Sequence, residues 1–181
     1  GKNIRFGFNA VKSMGRPTIT AIIEERTNNG DFHSMQDFIT RMAGVINKRT
    51  VEHLILAGAF DTFGNTRRGM MNVYERMIDS AVKQNKDAIS GQMSLFDFVS
   101  EEDKQSLEMK VPDIQEFEKE DLLEREKEVL GVYVTGHPLD EYTGMWEKHI
   151  SARSTDFLID EETGQAKLMN GSKQTIGGLI S

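Results

Sequence analysis

Apolar residues recur at helical spacing through most of this chain. From Thr18 to Arg26 the positions Ile19, Ile22 and Ile23 fall at helical spacing. Pro17 is tolerated at the first helical position, where an N–H would be unpaired anyway, and Asn28-Asn29-Gly30 supplies a stop. Upstream, Ile4-Arg5-Phe6-Gly7-Phe8-Asn9 leads through Ala10-Val11-Lys12 into the turn Ser13-Met14-Gly15-Arg16. The pattern predicts helix, tight hairpin, helix. Ser34-Met35-Gln36-Asp37 has the form of a capping box. It predicts a short helix through Met42, with Phe38, Ile39 and Met42 as the buried stripe. Asn47 is the expected cap of a helix over Lys48–Ala57, with Val51, Leu54 and Ile55 inward and Gly58 as left-handed terminator. After the corner 59–64, Asn65 is expected to open a longer helix to about Gln84. Its inner face would be Met70, Val73, Tyr74, Met77, Ile78 and Ala81. That makes a second helix–hairpin–helix.

The second half is less regular. Residues 97–113 are polar and charged and read as a linker. From Ile114 to about Val134 a helix is expected, since Phe117, Leu123 and Leu130 recur at intervals near seven. Glu124-Arg125-Glu126-Lys127-Glu128 would be its solvated face, and Gly136 and Pro138 its end. A short helix from Asp140 would reach Trp146 and His149, Thr155–Ile159 reads as strand or turn, and Thr175–Ser181 is an apolar, β-prone run. The expected fold class is mainly α: a tandem helix–hairpin–helix bundle, a flexible linker, a further helix and a truncated β-strand. The expected division is 1–86, 87–113, 114–150 and 151–181.

Composition narrows the class. At 38% hydrophobic and 28% charged the chain reads as soluble, and no apolar run approaches the roughly 18 residues of a membrane span. No secretory signal is visible. The absence of cysteine fits a reducing cytoplasm. Gly1-Lys2-Asn3 at the start and an unpaired apolar run at the end lead to the expectation of a piece cut from a longer protein. Charge is uneven. Residues 1–86 carry 13 Lys and Arg against 8 Asp and Glu, whereas residues 87–181 carry 9 against 21. A basic half suits phosphates; an acidic half suits a protein partner.

Three stretches carry candidate chemistry. Around Gly15 the backbone N–H groups of the turn and of the following helix start can hold a phosphate oxygen. Lys12 and Arg16 flank them with charge. The alternative, an ordinary corner serving the core, has equal standing on spacing alone. Arg67 and Arg68 stand in the first turn of a helix, where cations oppose the macrodipole. An external anion would compensate them; two solvated arginines are the plain alternative. The third is Gln92-Met93-Ser94-Leu95-Phe96, a short apolar peptide with a polar front between the two halves. Leu95 and Phe96 can act as anchors and the Gln92 amide can set register in a partner's groove. Local packing of Met93, Leu95, Phe96 and Phe98 is the alternative. The ten methionines point to adaptable core packing. His137 reads as a capping or packing residue, and the four histidines are too scattered for a zinc set.

Ile4-Arg5-Phe6-Gly7 with Asn9-Ala10-Val11-Lys12, then Asn47-Lys48-Arg49, then Leu54–Asp61, resemble the tandem helix–hairpin–helix region of the bacterial replicative DNA polymerase III α subunit family. Ser90–Phe96 is similar to that family's internal sliding-clamp-binding motif. Glu126–Gly131 with Thr135-Gly136-His137-Pro138-Leu139 resembles the segment preceding its OB domain. The matches run in family order over nearly the whole chain. One departure stands out: Ser13 occupies a position where the first hairpin often has glycine, and it allows less close approach.

The resemblance implies double-stranded DNA held by its backbone without sequence preference, through Lys12, Ser13, Gly15, Arg16, Gly58, Arg67 and Arg68. It implies sliding-clamp docking through Gln92, Met93, Ser94, Leu95 and Phe96, and contact with other replicase subunits through the intact protein. It also implies that Thr175–Ser181 begins an OB-like domain. The family's catalytic palm lies upstream, so no catalytic residue, metal site or cofactor is expected here, and magnesium belongs to the intact polymerase. A cytoplasmic, nucleoid-associated protein of a bacterium without membrane attachment follows. Three other functions compete: a metal-dependent nuclease or transferase using the acidic half, a structural spacer, and a helix–hairpin–helix DNA-repair protein. The first is disfavoured because no carboxylate pair sits beside a histidine or a phosphate-binding loop.

Overall fold

Where the apolar spacing is regular, helices form. The computed structural model describes residues 7–89, 109–161 and 164–178. They are mainly helical, as expected from the periodicity. The Gln92–Phe96 peptide lies outside the described residues, as do residues 1–6 and 179–181. The described residues divide between Val134 and Thr135 into two compact units.

In the first unit a single 3₁₀ turn, Phe8–Ala10, precedes α1 (Arg16–Asn29). Pro17 falls in the first turn of α1, and Gly30, at φ 83°, ends the helix in a conformation suited to glycine. Helix α2 (Met35–Arg41) begins with the Ser34 hydroxyl accepting from the Asp37 N–H at 3.0 Å. The Asp37 carboxylate turns back to the His33 N–H, one residue beyond the reciprocal partner of a capping box. Helix α3 (Lys48–Leu56) is capped by Asn47, whose side chain accepts from the Thr50 N–H at 2.8 Å. The longer helix expected from Asn65 is two helices, α4 (Arg67–Met71) and α5 (Tyr74–Ile89), interrupted at Asn72 and Val73. Its cap is Thr66, not Asn65.

The core is shared by these helices. Met35, Phe38 and Ile39 of α2, Val51, Leu54 and Ile55 of α3, Met70, and Met77 of α5 are all buried. Methionine fills this interior as its count suggested: Met35, Met42, Met70 and Met77 are each at most 2% exposed. Edge-to-face Phe32–Phe38, tilted Phe38–Phe60 and stacked Phe60–Phe63 carry the packing from the α1–α2 loop to the second hairpin. Arg41 fastens the same loop. It pairs with Glu25 at 2.8 Å, donates to the Gly30 and Asp31 carbonyls, and lies over the Phe32 ring.

Residues 111–118 do not join the helix that follows; α6 is Lys119–Leu130. They form an extended strap across the second hairpin, with Met109 and Val111 against the core. Gly69 lets the strap approach, since a Cβ there would lie 2.6 Å from the Pro112 carbonyl oxygen. Helix α6 packs on α3, burying Leu123 and Val129. It also buries Glu126 completely, which corrects the expectation that residues 124–128 are all solvated.

The second unit has little regular structure. A 3₁₀ turn at Asp140–Tyr142 runs into α7 (Thr143–His149). His137 takes a local capping part, its ring accepting from the Leu139 N–H while its own N–H donates to Asp140. An isolated antiparallel bridge joins Ile159 to Ala166, and the Thr175 carbonyl accepts from the Ser151 and Ala152 N–H groups. Among the described residues the expected strand from Thr175 is not formed. An apolar sequence needs a paired neighbour to become a strand.

Candidate nucleic-acid interface

The seven residues expected at phosphates divide into two groups. Lys12, Ser13, Gly15 and Arg16 are all exposed and share the first hairpin. There the chain leaves the Phe8–Ala10 turn, reverses through Ser13 and enters α1 at Gly15. Ser13 has φ 67°, the one positive value among the described residues other than glycine. A serine can hold this left-handed conformation, at a cost of roughly 1–2 kcal/mol. Gly15 is the N-cap of α1 in extended conformation. No side chain caps this helix, and no acidic residue lies in its first turn. Pro17 removes one donor, so the field of the helix start is carried by the other first-turn amides. An exposed lysine and an exposed arginine beside an uncapped helix start form a surface suited to an anion.

The second hairpin is built differently. Gly58 has φ 75°, and its N–H donates to the Ile55 carbonyl at 3.0 Å. A Cβ at that position would run into the Arg67 guanidinium and lie 2.8 Å from Asp61 Oδ2. Arg67 is 3% exposed and points inward. Its Nε and Nη2 make a two-pronged pair with Asp61 at 3.0 and 2.7 Å. Its Nη1 donates to the Leu56 carbonyl at 2.9 Å and meets Glu126 Oε1 at 3.4 Å. Glu126 uses its other oxygen to accept from the Val134 N–H at 2.7 Å. Burial works against the Arg67 charge, yet Asp61 and then Glu126 more than offset it and hold its pKa above the ordinary value.

The anion at the start of α4 also comes from within. Glu116, on the strap, accepts from the Arg67 N–H at 2.6 Å and from the Arg68 N–H at 2.9 Å. Thr66 covers the Gly69 N–H and donates its own hydroxyl to the Ile114 carbonyl. The negative charge that favours a helix start is thus supplied here by a side chain of the same chain. Arg67 and Gly58 are positioning residues of the fold, and of the three only Arg68 is exposed. Among the described residues no group of three His, Asp or Glu side chains could hold a metal ion.

Sequence reasoning missed Asp61, Glu116 and Glu126. Glu126 was within reach, because it stands three residues after Leu123 and thus on the same face of α6. Glu116 carried no local signal, as its partner lies 49 residues away.

Residues 1–70 match a family model described as the helix-hairpin-helix motif. Relatives extend the likeness over the whole chain. It is 35% identical over 177 residues to the DNA polymerase III subunit alpha of Chlamydia pneumoniae, covering 90% of this chain and 14% of that protein. It is 36% identical over 151 residues to the same subunit of Vibrio cholerae, covering 83% of this chain and 13% of the relative. The chain belongs to the DNA polymerase III α subunit family, as one segment of it. A third relative, from Saccharopolyspora erythraea, is 31% identical over 100% of this chain and 15% of its own length. Since the chain spans only about a seventh of these polymerase subunits, the likeness fixes the place of the segment rather than an activity.

Proposed function

We propose that this segment of a DNA polymerase III α subunit is a non-catalytic DNA-holding and clamp-tethering module. The first hairpin grips the backbone of duplex DNA. The observation that carries this reading is the uncapped start of α1, flanked by exposed Lys12 and Arg16 and with no acid in its first turn. Amides and two cations there meet phosphate oxygens and read no base, so affinity is independent of sequence. The second hairpin contributes Arg68 and otherwise serves as scaffold. Gln92, Met93, Ser94, Leu95 and Phe96 dock in a groove of the sliding clamp, with Leu95 and Phe96 as anchors. Two attachments to one replication fork raise residence by effective concentration. Contacts with other replicase subunits, and the polymerase chemistry with its magnesium, belong to the remainder of the subunit.

Titration with labelled duplexes of unrelated sequence tests the first part. Affinity should be equal across sequences, and log affinity should fall linearly with log salt. Lys12→Ala with Arg16→Ala should reduce the slope by about 0.9 for each phosphate that the variant no longer neutralises. A slope unchanged in that variant ends the hairpin reading. For the second part, Leu95→Ala with Phe96→Ala should abolish clamp binding without altering the unfolding midpoint. Equal clamp affinity in the variant would overturn the docking claim.

A further inference from the structure

The backbone of Lys12 is gripped from two sides by helices that are distant in sequence. Its N–H donates to the carbonyl of Val129, in the last turn of α6, at 2.9 Å. Its carbonyl lies 2.7 Å from Nδ1 of His53, on α3. A carbonyl oxygen only accepts, so this contact requires the proton on Nδ1. The next residue is Ser13, held at φ 67° where glycine would be at ease. A strained turn persists only where its surroundings over-determine it, and here two braces meet on the residue preceding the strain.

We propose that His53 is a positioning residue for the first hairpin. Its Nδ1–H on the Lys12 carbonyl holds Ser13 in the left-handed conformation that sets Lys12 and the start of α1 toward an anion. The inference rests on the DNA-backbone reading for its consequence, although the brace itself does not. Helix α3 belongs to the second hairpin, so that element contributes to the grip of the first through one ring nitrogen. The device also accounts for a serine standing at the turn, because the brace supplies from outside what glycine would supply from within.

The test uses the whole chain and has three arms. Long-range imidazole ¹H–¹⁵N correlation at neutral pH should show His53 protonated on Nδ1; a ring protonated on Nε2 alone cannot donate to Lys12 and overturns the proposal. In duplex titration at fixed salt, His53→Ala should weaken binding about three- to tenfold, the worth of one such hydrogen bond. His53→Asn, whose side-chain amide places a donor where Nδ1 stood, should restore most of it. Equal loss in both variants refutes the positioning role, and thermal midpoints show whether each variant is folded. Finally, Ser13→Gly should shrink the effect of His53→Ala, since a glycine turn needs less bracing. An undiminished effect would mean that His53 acts on something other than Ser13. Should the wild-type chain not bind duplex at all, the DNA reading fails, while the tautomer and amide exchange around Ser13 in His53→Ala still decide the brace.

Discussion

Ser13 and Arg67 show how much a single residue can settle. A serine at φ 67° costs roughly 1–2 kcal/mol relative to an unstrained residue, and glycine returns part of that gain as chain entropy in the unfolded state. Ser13→Gly should therefore raise the unfolding free energy by about 1 kcal/mol in urea titration; a fall would show that the serine makes a compensating contact. Arg67 is the reverse case. It faces fully buried Glu126 and bonds Asp61 and the Leu56 carbonyl, so its loss takes away a cation that an interior carboxylate meets. Arg67→Ala should destabilise by about 3–5 kcal/mol. An effect below about 1 kcal/mol would mean that the cluster relaxes into water. At this scale the sequence was half legible. The glycine-rich turns, the Ser34 and Asn47 caps and the buried methionines could be read from residue type and spacing. The inward turn of Arg67 could not, since the three groups that hold it come from three places in the chain.

At the scale of elements, helices with regular apolar spacing were foreseen to within a few residues, and two discrepancies trace to particular contacts, one local and one remote in sequence. The helix expected from Asn65 begins one residue later because the Thr66 hydroxyl, rather than the Asn65 amide, caps the Gly69 N–H. The helix expected from Ile114 begins only at Lys119 because residues 111–118 are committed to the second hairpin. Glu116 is the pin of that strap, accepting from the Arg67, Arg68 and Phe117 N–H groups. Glu116→Gln keeps the shape, removes the charge and loses an acceptor. Unfolding free energy should fall by about 1–2 kcal/mol, and amide exchange at Arg67 and Arg68 should accelerate. Unchanged exchange at those two amides would show that another group holds the strap.

Across the whole molecule, the charge imbalance between residues 1–86 and 87–181 was plain in the sequence, and the exposed cations of the first hairpin lie in the basic part. What pattern could not supply was the inequality of the two hairpins. Both carry a turn glycine and basic residues, and both follow the same local rules. Asp61 and the Leu56 carbonyl within the second hairpin, together with Glu126 of α6 and Glu116 of the strap from outside it, close one of them inward. The salt dependence proposed for duplex binding should accordingly come from exposed Lys12 and Arg16, with the inward-facing Arg67 expected to add nothing to the slope.

The anchorage of Met109 and Val111 on the helical core has a mechanical corollary. Helix α5, whose Met77, Ile78 and Ala81 are buried in that core, and the strap that Met109 and Val111 anchor thus rest on the same body. A pull on either element is therefore carried by one shared core, through a buried helix face on one side and a pinned crossing on the other.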